Sequence, residues 1–287
     1  MKKTRYNNFN LMHPNLSVFT NMINNNNYFS ITKYSIEWWI ALKKALDLFE
    51  NYDVKNDKEF KNLSKKVFEV WVNDQLKGRG WYISEEIINK TIKNMNYYDK
   101  DLFFGVGFCG SFSGKKIGND FIQNKTKHLY YIFECMEKLK LKNKILYNTS
   151  FWKYWAYSGE LNVFFDYIKN KNIVVVGPEH LKNFGNILNL PKFHHIEIDT
   201  LNAIKYIEKY ENEIIDFSKN NTGCIYIMQG GGASIYMLPR LYKKIKNSFI
   251  FDVGTAIDVY YFEKFSKYGD DYIKNPLRWM PNKPKWM

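Results

Sequence analysis

The feature that most constrains this chain is a run of short apolar strings, each followed by ten or more residues of helical pattern, from about residue 144 onward. Strings such as Asn172 to Gly177 (NIVVVG), Cys224 to Met228 (CIYIM) and Ser248 to Val253 (SFIFDV) have strand length. They are apolar throughout, as expected when both faces of a sheet are covered. Strands alternating with helices predict βαβ units and a mostly parallel sheet. The strands read as Lys144 to Tyr147, Asn172 to Gly177, Phe193 to Ile198, Cys224 to Met228 and Ser248 to Val253, and the helices between them as 152–169, 179–188, 201–219 and 233–246, with a short one from about 258.

The amino-terminal half is less regular. Asn21 to Asn27 (NMINNNN) reads as a loop closing an N-terminal arm, residues 1–27. Tyr28 to Lys33 alternates as a strand does, and Ser35 stands where a helix cap would, ahead of IEWWIALKKALDLFE. Helical patterns cover Asp57 to Leu76, Glu85 to Asn96 and 121–140, and LFFGVG at 102–107 reads as a buried strand entering a glycine-rich loop. The organisation expected is an arm (1–27), one α/β domain (28–268) and a surface tail (269–287) carrying three of the seven prolines. The fold class is α/β: a Rossmann-like three-layer sandwich around a mostly parallel sheet.

Composition narrows the function. Lys+Arg number 42 against Asp+Glu 29, a net charge of +13, yet only four of the basic residues are arginines. Arginine supplies bidentate recognition of phosphate and guanine, whereas lysine is a solvated point charge. With no basic run, no nucleic-acid partner is expected. No apolar stretch reaches the length of a membrane span or a signal-peptide core. The three cysteines show no paired spacing, which agrees with a reducing, cytoplasmic setting. A zinc site and a hydrolase triad find no support, because no Cys/His pair has ligand spacing and no GxSxG elbow is present.

In an open α/β sheet, ligands bind at the carboxyl ends of the strands. Four segments fall there: Gly177-Pro178-Glu179; Gln229 followed by Gly230, Gly231 and Gly232; Asp252-Val253-Gly254 with Asp258 beyond; and Thr32 to Trp38. A glycine triplet opening a helix suits a phosphate, or equally a tight turn with close packing. Asp252 and Asp258 read as contacts to a sugar, a ribose or a metal, or as helix caps. Glu179 reads first as a carboxylate favoured by its helix dipole.

The segments NIVVVGPE, CIYIMQGGGASIYMLPRLYKK and SFIFDVGTAID, with LFFGVG upstream, resemble the GT-D-fold glycosyltransferases over roughly residues 28 to 265. That family carries a D-x-E pair for a divalent metal and a nucleotide-sugar diphosphate. The matching place is Ser35-Ile36-Glu37, where Glu37 keeps the pattern and Ser35 replaces the aspartate. The resemblance implies transfer of a sugar from a nucleotide-sugar donor, a UDP-sugar foremost, to a glycan or glycoprotein. Implied catalytic residues are Glu37, Asp252 and Asp258, with Glu37 also a ligand of Mn²⁺ or Mg²⁺. Implied donor-binding residues are Lys33, Ser35, Gly177, Glu179, Gly230, Gly231, Gly232 and Gly254. Lys115 and Lys116 are further counter-charges for the diphosphate, and Trp38, Phe151 and Trp152 are candidate stacking platforms. A homo-oligomer is compatible with this reading. The alternative is a catalytically inactive module that binds a sugar nucleotide or glycan.

Overall fold

The computed structural model describes residues 2–6, 9–49, 57–73, 84–97, 99–107, 131–141, 145–199 and 203–261. Lys115, Lys116 and the 269–287 tail lie outside the described residues. Among the described residues nine strands form one sheet: β1 (Lys2–Tyr6), β2 (Phe9–His13), β3 (Ser30–Ile31), β4 (Leu102–Val106), β5 (Ile145–Asn148), β6 (Ile173–Gly177), β7 (Phe193–Glu197), β8 (Ile225–Met228) and β9 (Phe249–Asp252). Their order is β1-β2-β5-β4-β3-β9-β8-β6-β7. Among the described residues only the β1–β2 pair is antiparallel; the other pairings are parallel.

Side-chain alternation divides the core into two layers, one on each sheet face. Val175, Ile227 and Phe251 point toward one face, where they meet α1 (Leu16–Asn24), α6 (Phe151–Ser158) and α7 (Glu160–Ile168). Val174, Val176, Tyr226, Met228 and Ile250 point the other way, into a cluster shared with α9 (Ile207–Asn220) and α10 (Gly232–Lys244). Further along that face, α2 (Ile36–Asp47), α3 (Asp57–Asn73), α4 (Glu85–Met95) and the helix at 131–138, α5, cover β2, β4 and β5. Helix, sheet and helix thus form the three-layer α/β architecture expected.

Three local differences have physical causes. Residues 2–24, read from the sequence as part of an arm, supply two strands and a helix, with Phe9 and Phe19 fully buried. The pattern expected to give one helix at 152–169 is divided by Gly159, which adopts a left-handed φ of 79° between α6 and α7. The helix expected at 179–188 opens as a 3₁₀ turn, Glu179–Asn183, before α8 (Phe184–Ile187). Strand β3 is only two residues long, yet it lies between β4 and β9 near the sheet centre. That position delivers Lys33, Tyr34 and Ser35 to the carboxyl edge of the sheet.

Candidate active site at the carboxyl edge of the sheet

Asp252 ends β9 and is 3% exposed. Its Oδ1 accepts the Gly254 amide at 3.1 Å. Burial pushes its carboxyl up to about 7, although the Lys33 ammonium and the Gly254 N–H both pull the other way. Lys33 approaches from the end of β3, and its Nζ donates to the Val253 carbonyl at 3.2 Å. Gly254 makes this approach possible. Its φ is +52°, and a Cβ there would lie 2.3 Å from Lys33 Nζ. Lys33, Asp252 and Gly254 are therefore assembled into one cluster of a buried acid and a braced ammonium.

Ser35 occupies the N-cap position of α2, but its hydroxyl makes no capping bond. Its Oγ is buried and has no hydrogen-bond partner. Glu37 follows in the first turn of the same helix. At the end of β5, the buried Thr149 Oγ1 is likewise without a partner. It lies 3.6 Å from where a Cβ on Gly107 would stand. Buried polar atoms of this kind are uncommon in native proteins and call for an explanation.

A second cluster adjoins the first, because Met228 pairs with Asp252 across β8 and β9 and Gln229 follows Met228 directly. Asp258 lies in the 3₁₀ turn Gly254–Tyr260 and is 9% exposed. Its Oδ1 accepts from Gln229 Nε2 at 2.6 Å and lies 3.2 Å from His180 Nε2. The His180 ring meets Tyr261 edge-on, with centroids 5.3 Å apart. His180 and Tyr261 were not among the expected site residues, and Gln229 stood only at the head of the candidate glycine segment, with no role of its own. A histidine between Glu179 and Leu181 carries no pattern that singles it out, and Gln229 is overshadowed in sequence by the glycines it precedes.

The glycines divide by role. Gly230 donates its N–H to Ser234 Oγ at 2.9 Å, and a Cβ on it would lie 2.6 Å from that oxygen. Close turn packing, rather than an open amide, explains that residue. Gly231 has φ 56° and ψ −132°, a backbone region suited to glycine, and Gly232 begins α10. Gly177 packs beneath Gln229, since a Cβ on it would lie 2.6 Å from Leu181 Cδ1 and 3.3 Å from Gln229 Cβ. Glu179 is exposed at the start of its 3₁₀ turn. Trp38, Phe151 and Trp152 are core residues at 2%, 5% and 0% exposure, so they offer no face for stacking.

Two solved structures are similar in fold. One, described as the highly conserved domain of unknown function 1792 with a distinct glycosyltransferase fold, aligns with TM-score 0.51 and 11% identity over 88% of this chain and 80% of that one. The other, a selenomethionine-substituted structure of domain of unknown function 1792, aligns with TM-score 0.52 and 9% identity over the same shares. This chain shares a glycosyltransferase fold. No protein-family model matches the chain, and no curated protein does.

A divalent cation at Glu37 would require further charged oxygen or imidazole ligands. Among the described residues no group of three His, Cys, Asp or Glu side chains is arranged to hold a metal. At the β3–β9 junction Lys33 contributes a positive charge beside Asp252. Among the described residues, no helix is long and apolar enough to cross a membrane.

Proposed function

We propose that this protein is a glycosyltransferase that moves a sugar from a nucleotide-sugar donor, a UDP-sugar, to a hydroxyl of a glycan or glycoprotein. The observation that carries the reading is the Lys33–Asp252 pair at the sheet's carboxyl edge, in a chain with a glycosyltransferase fold. Transfer breaks the bond between the anomeric carbon and the diphosphate oxygen and forms one to the acceptor oxygen. The electron pair leaves with the diphosphate, and the acceptor's proton must go to a base. Lys33 offsets the charge that grows on the leaving group, and the buried Ser35 hydroxyl donates to the same oxygens. Asp252 or Asp258 takes the proton. A carboxyl poised near 7 is matched to that task at neutral pH.

The test is release of UDP from a panel of UDP-sugars, with and without Mn²⁺ or Mg²⁺. Lys33→Met and Asp252→Asn are each expected to lower release by roughly 100-fold, the scale of one preorganised electrostatic group. If the protein neither releases a nucleotide nor binds any nucleotide sugar, the proposal is wrong. A second reading rests on Ser35 standing where the similar family carries an aspartate. On that reading the chain binds a sugar nucleotide without turning it over. Tight binding with no release, in wild type and Ser35→Asp alike, would favour it.

A further inference from the structure

We propose that Gln229, Asp258, His180 and Tyr261 form a subsite for an uncharged, hydroxyl-bearing sugar ring. The proposal rests on the glycosyltransferase reading above and deepens it by naming the chemical class of the transferred unit.

A carboxylate accepts only, so Asp258 Oδ1 takes the amide nitrogen of Gln229, and the amide oxygen must point elsewhere. Gln229 is 6% exposed, and its Oε1 is buried with no hydrogen-bond partner. Tyr261 Oη is also buried and without a partner. Both atoms belong to residues linked through Asp258 and His180, because Tyr261 meets the His180 ring and His180 meets Asp258. Buried polar atoms left unsatisfied are destabilising.

The character of the cluster selects the ligand. A carboxamide oxygen and a carboxylate are acceptors, so the ligand must present hydrogen-bond donors. The phenol either donates or accepts. Neighbouring hydroxyls on a sugar ring fit this set. A phosphate or carboxylate does not, because it would bring negative charge against Asp258 and would have no proton for Gln229. The nearby edge at Lys33 has the opposite character, with an ammonium bonded to the Val253 carbonyl. One ligand that is anionic at one end and neutral and hydroxylated at the other satisfies both clusters. The hydroxyls can belong to the transferred sugar or to the ribose of the nucleotide, and the proposal commits to the transferred sugar.

The test uses the full-length protein and calorimetric binding of UDP, UDP-glucose, UDP-galactose and UDP-glucuronate. A neutral-sugar donor is expected to bind at least ten-fold more tightly than both UDP and UDP-glucuronate. Tyr261→Phe removes the unpartnered hydroxyl and nothing else, so the free protein should melt at or above the wild-type temperature. Its affinity for the neutral-sugar donor should fall roughly five- to ten-fold, the scale of one lost hydrogen bond, with affinity for UDP unchanged. Gln229→Leu should lower that affinity further, and because it also removes the donor to Asp258 the free protein should melt below wild type. An equal loss for UDP would move the subsite to the ribose and overturn the assignment. Equal binding of UDP-glucose and UDP-glucuronate, or wild-type affinity in both variants, would overturn the subsite while leaving the transferase reading in place. A wild type that binds none of the four ligands overturns both.

Discussion

At the scale of single residues, burying Asp252 has a consequence that can be measured without any substrate. Its carboxyl is raised from 3.8 to about 7, chiefly by desolvation, so the folded state holds this proton more tightly than the unfolded state. The associated stability is fully present below about pH 4 and is lost as pH rises to 7. A shift of that size is worth ~4 kcal/mol over the whole window, at about 1.4 kcal/mol per unit. Asn has no proton to lose, and its side-chain oxygen can still accept the Gly254 amide. Asp252→Asn is therefore expected to be more stable than wild type at pH 8 and about equal to it at pH 4. Urea titrations at the two pH values check this; parallel behaviour of the two proteins would refute it. Transfer should fall roughly 100-fold in the same variant, which separates a functional group from a structural one. The placement of Lys33 and Asp252 at strand ends was legible in the sequence, because the strands of an α/β sheet follow the apolar strings. The buried oxygens of Gln229 and Tyr261 were not. Whether a polar atom finds a partner is settled only when distant segments meet, as Gln229 and Asp258 do across 29 positions.

At the scale of elements, most strands and helices from Ile145 to Tyr260 follow the hydrophobic period, since their apolar positions alternate faces or recur along one stripe. The departures arise where local pattern is silent. Strand β2 exists through its parallel pairing with β5, where Asn10 meets Ile145, a contact that no window of ten residues can reveal. Its alternation of Phe9 and Leu11 toward the core is real but short. Gly159 is the clearest case of a break with a mechanism. It holds a left-handed φ of 79°, ends α6 and begins α7, and nothing lies within 4 Å of where its Cβ would be. Gly159→Ala adds no clash, so only the backbone penalty remains, about 1 kcal/mol. We expect a small fall in unfolding free energy in denaturant titrations and unchanged UDP release. A larger loss would mean that α6 and α7 shift relative to the core that Trp152 and Phe164 share.

At the scale of the whole molecule, the excess of 13 positive charges acts on stability and on encounter with ligands rather than on the fold. Much of the described charge is already engaged. Lys43 and Lys138 share Asp47 and Glu134 on the surface. Arg240, one of only four arginines, is directed inward to the buried Glu211 at 2.8 Å, so its guanidinium is not displayed for phosphate recognition. Surface pairs of this kind contribute little each, whereas net self-repulsion opposes the compact state. Salt screens both, with a screening length of about 10 Å at 0.1 M. The repulsion of an unbalanced +13 outweighs a few exposed pairs, so the melting temperature should rise between 50 and 300 mM NaCl. A fall would mean that the surface pairs dominate. The same salt series distinguishes kinds of anion. A nucleotide sugar held by Lys33 and by neutral hydrogen bonds should lose only a few-fold in affinity. Duplex DNA, held by counterion release alone, should lose orders of magnitude and be unbound near physiological salt. Retention of DNA at 200 mM NaCl would restore nucleic acid as a partner, because scattered lysines without a cluster cannot account for it.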